Sequence, residues 1–275
     1  MKKYIACVIQ IDTQEDYNEN LKTAKELICE AAERGAKVVA LPENWAYQGH
    51  DYLQYAEDMP GGNIFNEFSK LAVKYGVWIH AGSLSEKNND DPRPYNTTML
   101  INPNGELVAK YNKIHVFDVD VKNAGSYRES DSKKPGKNIV VVDTEDYGKF
   151  GLSICYDMRF PELYRLMALQ GAEVFFAPSS FLLATGKDHW ETLLRARAIE
   201  NSCYMLAPGQ CGVKYDGPTY GRSMIIDPWG TVIATASDKP CVITAEIDLE
   251  FRQKVKKQLL SLENRREDIY KLNII

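Results

Sequence analysis

The stretch Lys149-Phe150-Gly151-Leu152-Ser153-Ile154-Cys155-Tyr156-Asp157-Met158-Arg159-Phe160-Pro161-Glu162-Leu163 decides the fold. An apolar run stops at a thiol and a helix-like segment begins just beyond it, which predicts a strand, a sharp turn and a helix. A cysteine in such a corner lifts its sulfur out of the sheet. The free N–H groups and positive dipole end of the following helix favour a thiolate there, and so a nucleophile. The stretch fits equally a small buried hydrophobe closing a core strand, and by itself leaves both readings open.

Working outward, residues 4–10 read as a strand, and Leu21, Ala24, Leu27, Ile28 and Ala31 repeat at helical spacing until Arg34-Gly35 stops them. A short β-branched strand at 37–41 ends in Pro42-Glu43-Asn44-Trp45, so a carboxylate emerges where a strand ends. A helix is expected over 64–75 and strands over 77–84 and 95–102, with Pro103-Asn104-Gly105 turning into a strand at 106–111. Residues 117–135 show no clear periodicity and read as a long loop, a kind that is usually functional or disordered. Strand character resumes at 139–143. Beyond the Cys155 corner come a helix at 161–169, a strand at 172–178, a helix at 189–201 and strands at 203–207, 222–226, 231–236 and 242–247. Asp227-Pro228-Trp229-Gly230 forms a hairpin turn, and a mostly polar helix and tail occupy 248–275. Strand–helix units mixed with meanders imply an α/β protein, and so many elements in 275 residues fit a four-layer α-β-β-α sandwich, two mixed sheets face to face with helices outside, in a single domain.

Composition sets the outer limits. Apolar residues make up 44% and charged residues 26% of the chain, as in an ordinary globular protein. The six cysteines are widely spaced without a C-x-x-C pair, which suggests neither a disulfide framework nor a zinc site and points to a reducing, cytoplasmic setting. The N-terminal apolar run is too short for a signal peptide, and no run approaches the roughly 20 apolar residues of a membrane span. A net charge of −5 argues against nucleic acid as a partner. His50, His80, His115 and His189 are scattered without metal-ligand spacing, so no metal is expected and His115 reads as a loop or supporting residue.

Leu41-Pro42-Glu43-Asn44, Tyr111-Asn112-Lys113-Ile114-His115 and Ile154-Cys155-Tyr156-Asp157-Met158-Arg159-Phe160-Pro161-Glu162 resemble, in order, the three motifs of the nitrilase superfamily of thiol-dependent carbon–nitrogen hydrolases. The likeness runs nearly end to end, through Asp188-His189-Trp190, Arg195-Ala196-Arg197-Ala198-Ile199-Glu200-Asn201, Asp227-Pro228-Trp229-Gly230 and Arg266-Glu267-Asp268-Ile269-Tyr270, and is strongest to the Nit amidases, which include deaminated-glutathione amidases and omega-amidases. It implies the four-layer sandwich, a homodimer in which the helices after Cys155 and around Arg195 meet across a two-fold axis, no cofactor, and a small amide and water as reactants; the apolar residues at the end of the 248–275 segment are expected to dock, at that interface.

By the same resemblance Glu43 matches the general base, Lys113 the catalytic lysine, Cys155 the nucleophile, and Glu129 an additional glutamate in the long loop. The chemistry is coherent on its own terms. A thiol with a pKa near 8.5 is mostly protonated at neutral pH, so a neighbouring carboxylate must take its proton and later return one to the departing amine. Negative charge developing on the carbonyl oxygen needs donors, here the Lys113 ammonium and the Tyr156 backbone N–H. Taken singly, each of these residues fits a capping, strand-end or surface role. Asp157 and Arg159 are expected to orient the turn by pairing with each other or nearby backbone, and Arg195 and Arg197 to pair with Glu191, Glu200 or a partner subunit. The loops 122–130 and 179–187 are expected to wall the pocket. Lys122, Arg128, Phe181, Thr185 and Lys187 are its candidate substrate-binding residues, the cations among them suiting an amide that carries a carboxylate. Nitrile or N-carbamoyl amide hydrolysis by the same four residues, and a catalytically silent small-acid-binding member, stay open.

Overall fold

A computed structural model describes residues 3–50, 52–121 and 125–274. The first half runs β1 (Lys3–Gln10), α1 (Tyr17–Glu33), β2 (Val38–Ala40), α2 (Asn63–Tyr75), β3 (Trp78–His80), β4 (Leu84–Glu86), β5 (Tyr95–Ile101) and β6 (Leu107–Asn112). A small hairpin, β7 (Asp118–Val121) with β8 (Gly125–Arg128), leads to β9 (Val141–Asp143) and β10 (Lys149–Leu152). Then come α3 (Pro161–Leu169), β11 (Val174–Phe176), α4 (Leu183–Asn201), β12 (Tyr204–Ala207), β13 (Val213–Lys214), β14 (Gly217–Pro218), β15 (Met224–Ile226), β16 (Val232–Thr235), β17 (Cys241–Asp248) and α5 (Leu249–Leu259).

Two mixed sheets result. In one, parallel β1, β2 and β3 lie between antiparallel β17 and β5, and β5 also pairs with β4 and β6. In the other, parallel β10, β11 and β12 lie between antiparallel β9 and the β15–β16 pair. Side chains alternate across each strand, so Tyr4, Ala6, Val8, Val38 and Ala40 face the second sheet and join Phe150, Leu152, Val174 and Phe176 in the central core. Their neighbours Cys7, Ile9, Val39 and Ile79 face outward onto Ala24, Ile28 and Ala31 of α1 and Ile64, Phe68 and Leu71 of α2. On the far side α3 packs on β10, and α4 on β12 and β15, with Tyr164 edge-on to Phe175. This is the helix–sheet–sheet–helix sandwich expected from the sequence.

Three local expectations change. The strand expected over 77–84 is two strands, because the chain bends at Gly82 in the left-handed region. The 117–135 loop contains the β7–β8 hairpin, whose residues are all exposed or half-buried, so no buried face left an apolar alternation to read. The helix expected from 189 begins at Leu183. Its Thr-Gly segment has weak helical propensity, but a Cβ at buried Gly186 would lie 2.3 Å from Tyr220, and this close packing overrides the propensity. Thr185 and Lys187 are therefore helical residues, not loop residues.

Candidate active site

Glu43, Cys155 and Ser180 each follow the carboxyl end of a parallel strand, β2, β10 and β11, where α/β sheets leave a crevice. Lys113 follows antiparallel β6 into the same place. Glu43 is 3% exposed: its Oε1 accepts hydrogen bonds from Lys113 Nζ and Asn96 Nδ2, both at 3.0 Å, and its Oε2 from the Ser180 N–H at 2.9 Å. Lys113, 2% exposed, also donates to Glu129 Oε2 at 2.8 Å. Glu129 begins a short 3-10 turn after β8, Glu129–Asp131, and accepts further bonds from the Phe117 N–H at 2.6 Å and from Asn96 at 3.3 Å. A lysine with two carboxylates on it results.

Cys155 opens a five-residue 3-10 turn with φ +48° and is 8% exposed, its N–H donating to the Pro178 carbonyl at 2.9 Å. A non-glycine residue held left-handed is strained, by about 1–2 kcal/mol, so something must hold it. Asp157 does so. Fully buried, it accepts from the Ile154 N–H at 2.8 Å, the Tyr111 hydroxyl at 2.6 Å and the His115 N–H at 3.0 Å, and pairs with His115 Nδ1 at 2.8 Å. The turn bearing the thiol is thereby tied to the end of β6 that bears Lys113. His115 stacks on Phe160 at 3.6 Å. Of the two expected ways to orient the turn, Asp157 takes the backbone one and does not pair with Arg159, whose guanidinium lies over the rings of Phe181 and Tyr156, at 5.3 and 5.9 Å, and 3.3 Å from His189 Nδ1. Arg195 and Arg197 do pair with Glu191 and Glu200, at 3.5 and 3.1 Å.

The electrostatics correct one expectation. Burial, and then the negative charge of Glu43, push the Cys155 thiol well above its usual range and outweigh Lys113 and the Ser180 backbone N–H, which pull the other way, so the resting sulfur is protonated rather than a helix-stabilised thiolate. Burial opposes the charge on Lys113, but Glu129 and Glu43 more than offset it and hold the ammonium well above the usual lysine range. For Glu129 burial is likewise outweighed by Lys113, and its carboxyl falls below the ordinary value.

These side chains meet at a cavity of about 290 Å³, lined by Glu43, Lys113, Glu129, Cys155 and Tyr156 together with Arg128, Phe181 and Thr185. Of the other candidates, Arg128 is held at the rim by Asp120, at 2.9 and 3.1 Å, and Lys187 is exposed and lies outside the cavity. Lys122 falls outside the described residues. Sequence reasoning missed Asn96, which bridges the two carboxylates from the start of β5, and the cavity-lining Arg159, Lys133 and Tyr52. Arg159 stood in the Cys155 motif, and its positive charge beside Tyr156 was a usable signal. Asn96 and Lys133 carry no local mark, the first a polar residue in a strand and the second one of two adjacent loop lysines.

The carbon-nitrogen hydrolase family model matches residues 5–257. A deaminated glutathione amidase of Synechocystis is 42% identical over 269 residues, covering 96% of this chain and 99% of that protein. The crystal structure of the C. elegans NitFhit protein superimposes with a TM-score of 0.91 at 36% identity, covering 100% of this chain and 68% of that one. Saccharomyces cerevisiae Nit3, a member of branch 10 of the nitrilase superfamily, superimposes at 0.86 with 29% identity, covering 98% and 97%. With the match spanning nearly the whole sandwich, the chain belongs to the carbon–nitrogen hydrolase family, within the nitrilase superfamily, and is an amidase.

Proposed function

We propose that this amidase hydrolyses a small amide bearing a free carboxylate through a thioester on Cys155. The convergence of a buried thiol, Glu43 and a doubly paired Lys113 on one small cavity carries the reading. Glu43 takes the thiol proton as sulfur attacks the carbonyl carbon, and the oxyanion forms beside the Lys113 ammonium and the Tyr156 N–H. As the C–N bond breaks, Glu43 returns the proton to the leaving nitrogen. Water then enters, gives its proton to Glu43 and attacks the thioester, releasing the acid and regenerating the thiol. Glu129 shares the Lys113 ammonium with Glu43, keeping it charged and in place. A protonated resting thiol is what such a cycle requires, since Glu43 must move a proton in both directions.

The cavity is at the small end for organic ligands, which suits ω-monoamides and compact peptide-like amides with Phe181 and Thr185 in its wall. The amidase name of the Synechocystis relative supports deaminated glutathione or a related acid amide. We read residues 1–275 as one hydrolase domain acting in the reducing cytoplasm, in keeping with its six unpaired cysteines. We also read it as a homodimer: Leu169, Ile199, Trp229, Ile269, Tyr270 and Ile274 are 40–72% exposed on α3, α4, the Asp227–Gly230 turn and the C-terminal segment, apolar surface that a partner would cover.

A panel of acid amides, matched nitriles and N-carbamoyl compounds, assayed for ammonia or amine release with the wild-type protein and Cys155→Ala, tests the reading. Acid amides should turn over fastest, and Cys155→Ala should lose both turnover and labelling by a thiol alkylator. Retained hydrolysis in that variant, or faster turnover of nitriles, refutes it.

A further inference from the structure

Among the described residues, the cavity contains one ammonium that the hydrolytic cycle does not use. Lys133, just past the Glu129 turn, is 6% exposed and lines the cavity. Its Nζ donates to Ser85 Oγ and lies 4.2 Å over the Tyr52 ring. The other buried lysines have carboxylates, Lys113 those of Glu43 and Glu129, and Lys214 that of Asp12 at 2.6 Å. Among the described residues no carboxylate lies within ion-pairing distance of Lys133.

A buried charge without a counter-ion is expensive, and an ammonium has three donors to satisfy. One hydroxyl and one ring face do not satisfy it, while a carboxylate entering the cavity would. The chain is also built to hold the residue there. Lys133 N–H donates to the Glu129 carbonyl at 2.7 Å and Gly136 N–H to the Lys113 carbonyl at 2.8 Å. Gly136 passes so close to β6 that a Cβ would lie 2.1 Å from the Asn112 carbonyl oxygen. The loop that carries Lys133 is thus pinned to the residue that carries the catalytic ammonium.

We propose that Lys133, with Tyr52 and Ser85, forms the anion subsite that grips the free carboxylate on the acyl half of the substrate. This deepens the amidase reading and rests on it for the identity of the ligand. The subsite brings selectivity, because a neutral amide entering the cavity leaves the ammonium unpaired. It also brings a pH dependence. Burial pushes Lys133 down to about 8; Glu129 and Glu43 raise it, Lys113 lowers it, and the remaining groups that touch it, Ser85 and Tyr52, are a neutral hydroxyl and a ring face. Lys133 is cationic below that value, so capture of an anionic substrate fades as pH rises through about 8.

The test compares kcat/KM for glutaric acid monoamide and for its neutral methyl ester. In Lys133→Gln the ratio of acid to ester should fall at least tenfold, mainly through KM for the acid, and the alkaline limb near pH 8 should disappear from the acid's profile. Lys133→Arg should recover part of the ratio. Equal losses on both substrates would mark Lys133 as merely structural and overturn the proposal, as would an unchanged ratio. Calorimetric titration of the monoamide into Cys155→Ala protein provides a reading independent of turnover. Adding Lys133→Gln should weaken Kd at least tenfold, and an unchanged Kd overturns the subsite. A wild-type protein that binds the monoamide through Lys133 but turns over no amide would keep the subsite and remove the hydrolytic reading.

Discussion

Replacing Glu43 with glutamine removes one charge while keeping the shape of the side chain, and the structure specifies the consequences separately for stability, rate and thiol. The carboxylate presents Oε1 to Lys113 and Asn96, both at 3.0 Å, and Oε2 to the Ser180 N–H at 2.9 Å. A glutamine amide has one oxygen and one NH₂ group, so one side must set donor against donor. The better choice keeps oxygen on Lys113 and leaves the Ser180 N–H facing NH₂, at a cost of about 1–3 kcal/mol for an unpaired buried donor. Loss of the proton acceptor should slow hydrolysis about 10²–10⁴-fold, or roughly 3–5 kcal/mol of barrier. The thiol should respond in the opposite sense. Burial holds it up first, then Glu43, while Lys113 and, less strongly, the Ser180 backbone N–H pull it down. Removing the carboxylate charge leaves Lys113 less opposed, so the thiol titrates at lower pH and the thiolate fraction at a given pH rises. Ammonia release at pH 7 measures the rate, and the pH dependence of Cys155 alkylation by iodoacetamide, followed by peptide mass, measures the titration. The expected variant is a poorer hydrolase with a more ionised sulfur. A loss of less than about tenfold, or a thiol titration that moves upward, would show that Glu43 is not the group exchanging protons with Cys155.

Asp157→Asn tests the support of the turn: its side chain meets the Ile154 and His115 N–H groups from opposite oxygens, so an amide in either orientation faces one of them with NH₂. Destabilisation of about 2–3 kcal/mol should lower Tm by roughly 4–10 °C in calorimetry, and an unchanged Tm would show that Cys155 is held by other contacts. Multi-angle light scattering should give twice the 31.2 kDa chain mass at micromolar concentration, and a monomer there would remove the dimer.

Much of this molecule was legible in its residue order because local periodicity and local chemistry agree. The nearly continuous apolar run of β1 reflects burial on both faces and the helical stripe of α1 reflects one buried face, and a sequence window records each directly. The Glu43, Lys113 and Cys155 stretches are recognisable for a similar reason: each is a compact motif placed at or just beyond a strand end. The early start of α4 was not legible, because it depends on Gly186 packing against Tyr220, a contact between residues 34 positions apart. Nor was the β7–β8 hairpin, which buries no face.

What only the tertiary structure decided is electrostatic. Whether the residue after a strand is an activated thiolate or a protonated thiol depends on its burial and on which charges come within a few ångströms, and Glu43 lies 112 positions from Cys155 along the chain. The same holds for Lys133, which reads as a solvated loop lysine in Ser132-Lys133-Lys134-Pro135 and becomes a buried, uncompensated ammonium only when Gly136 docks on β6 and Tyr52 and Ser85 close over it. Coulomb energies and desolvation depend on distance in space and on the surrounding dielectric, and spacing along the sequence encodes neither until the chain has folded.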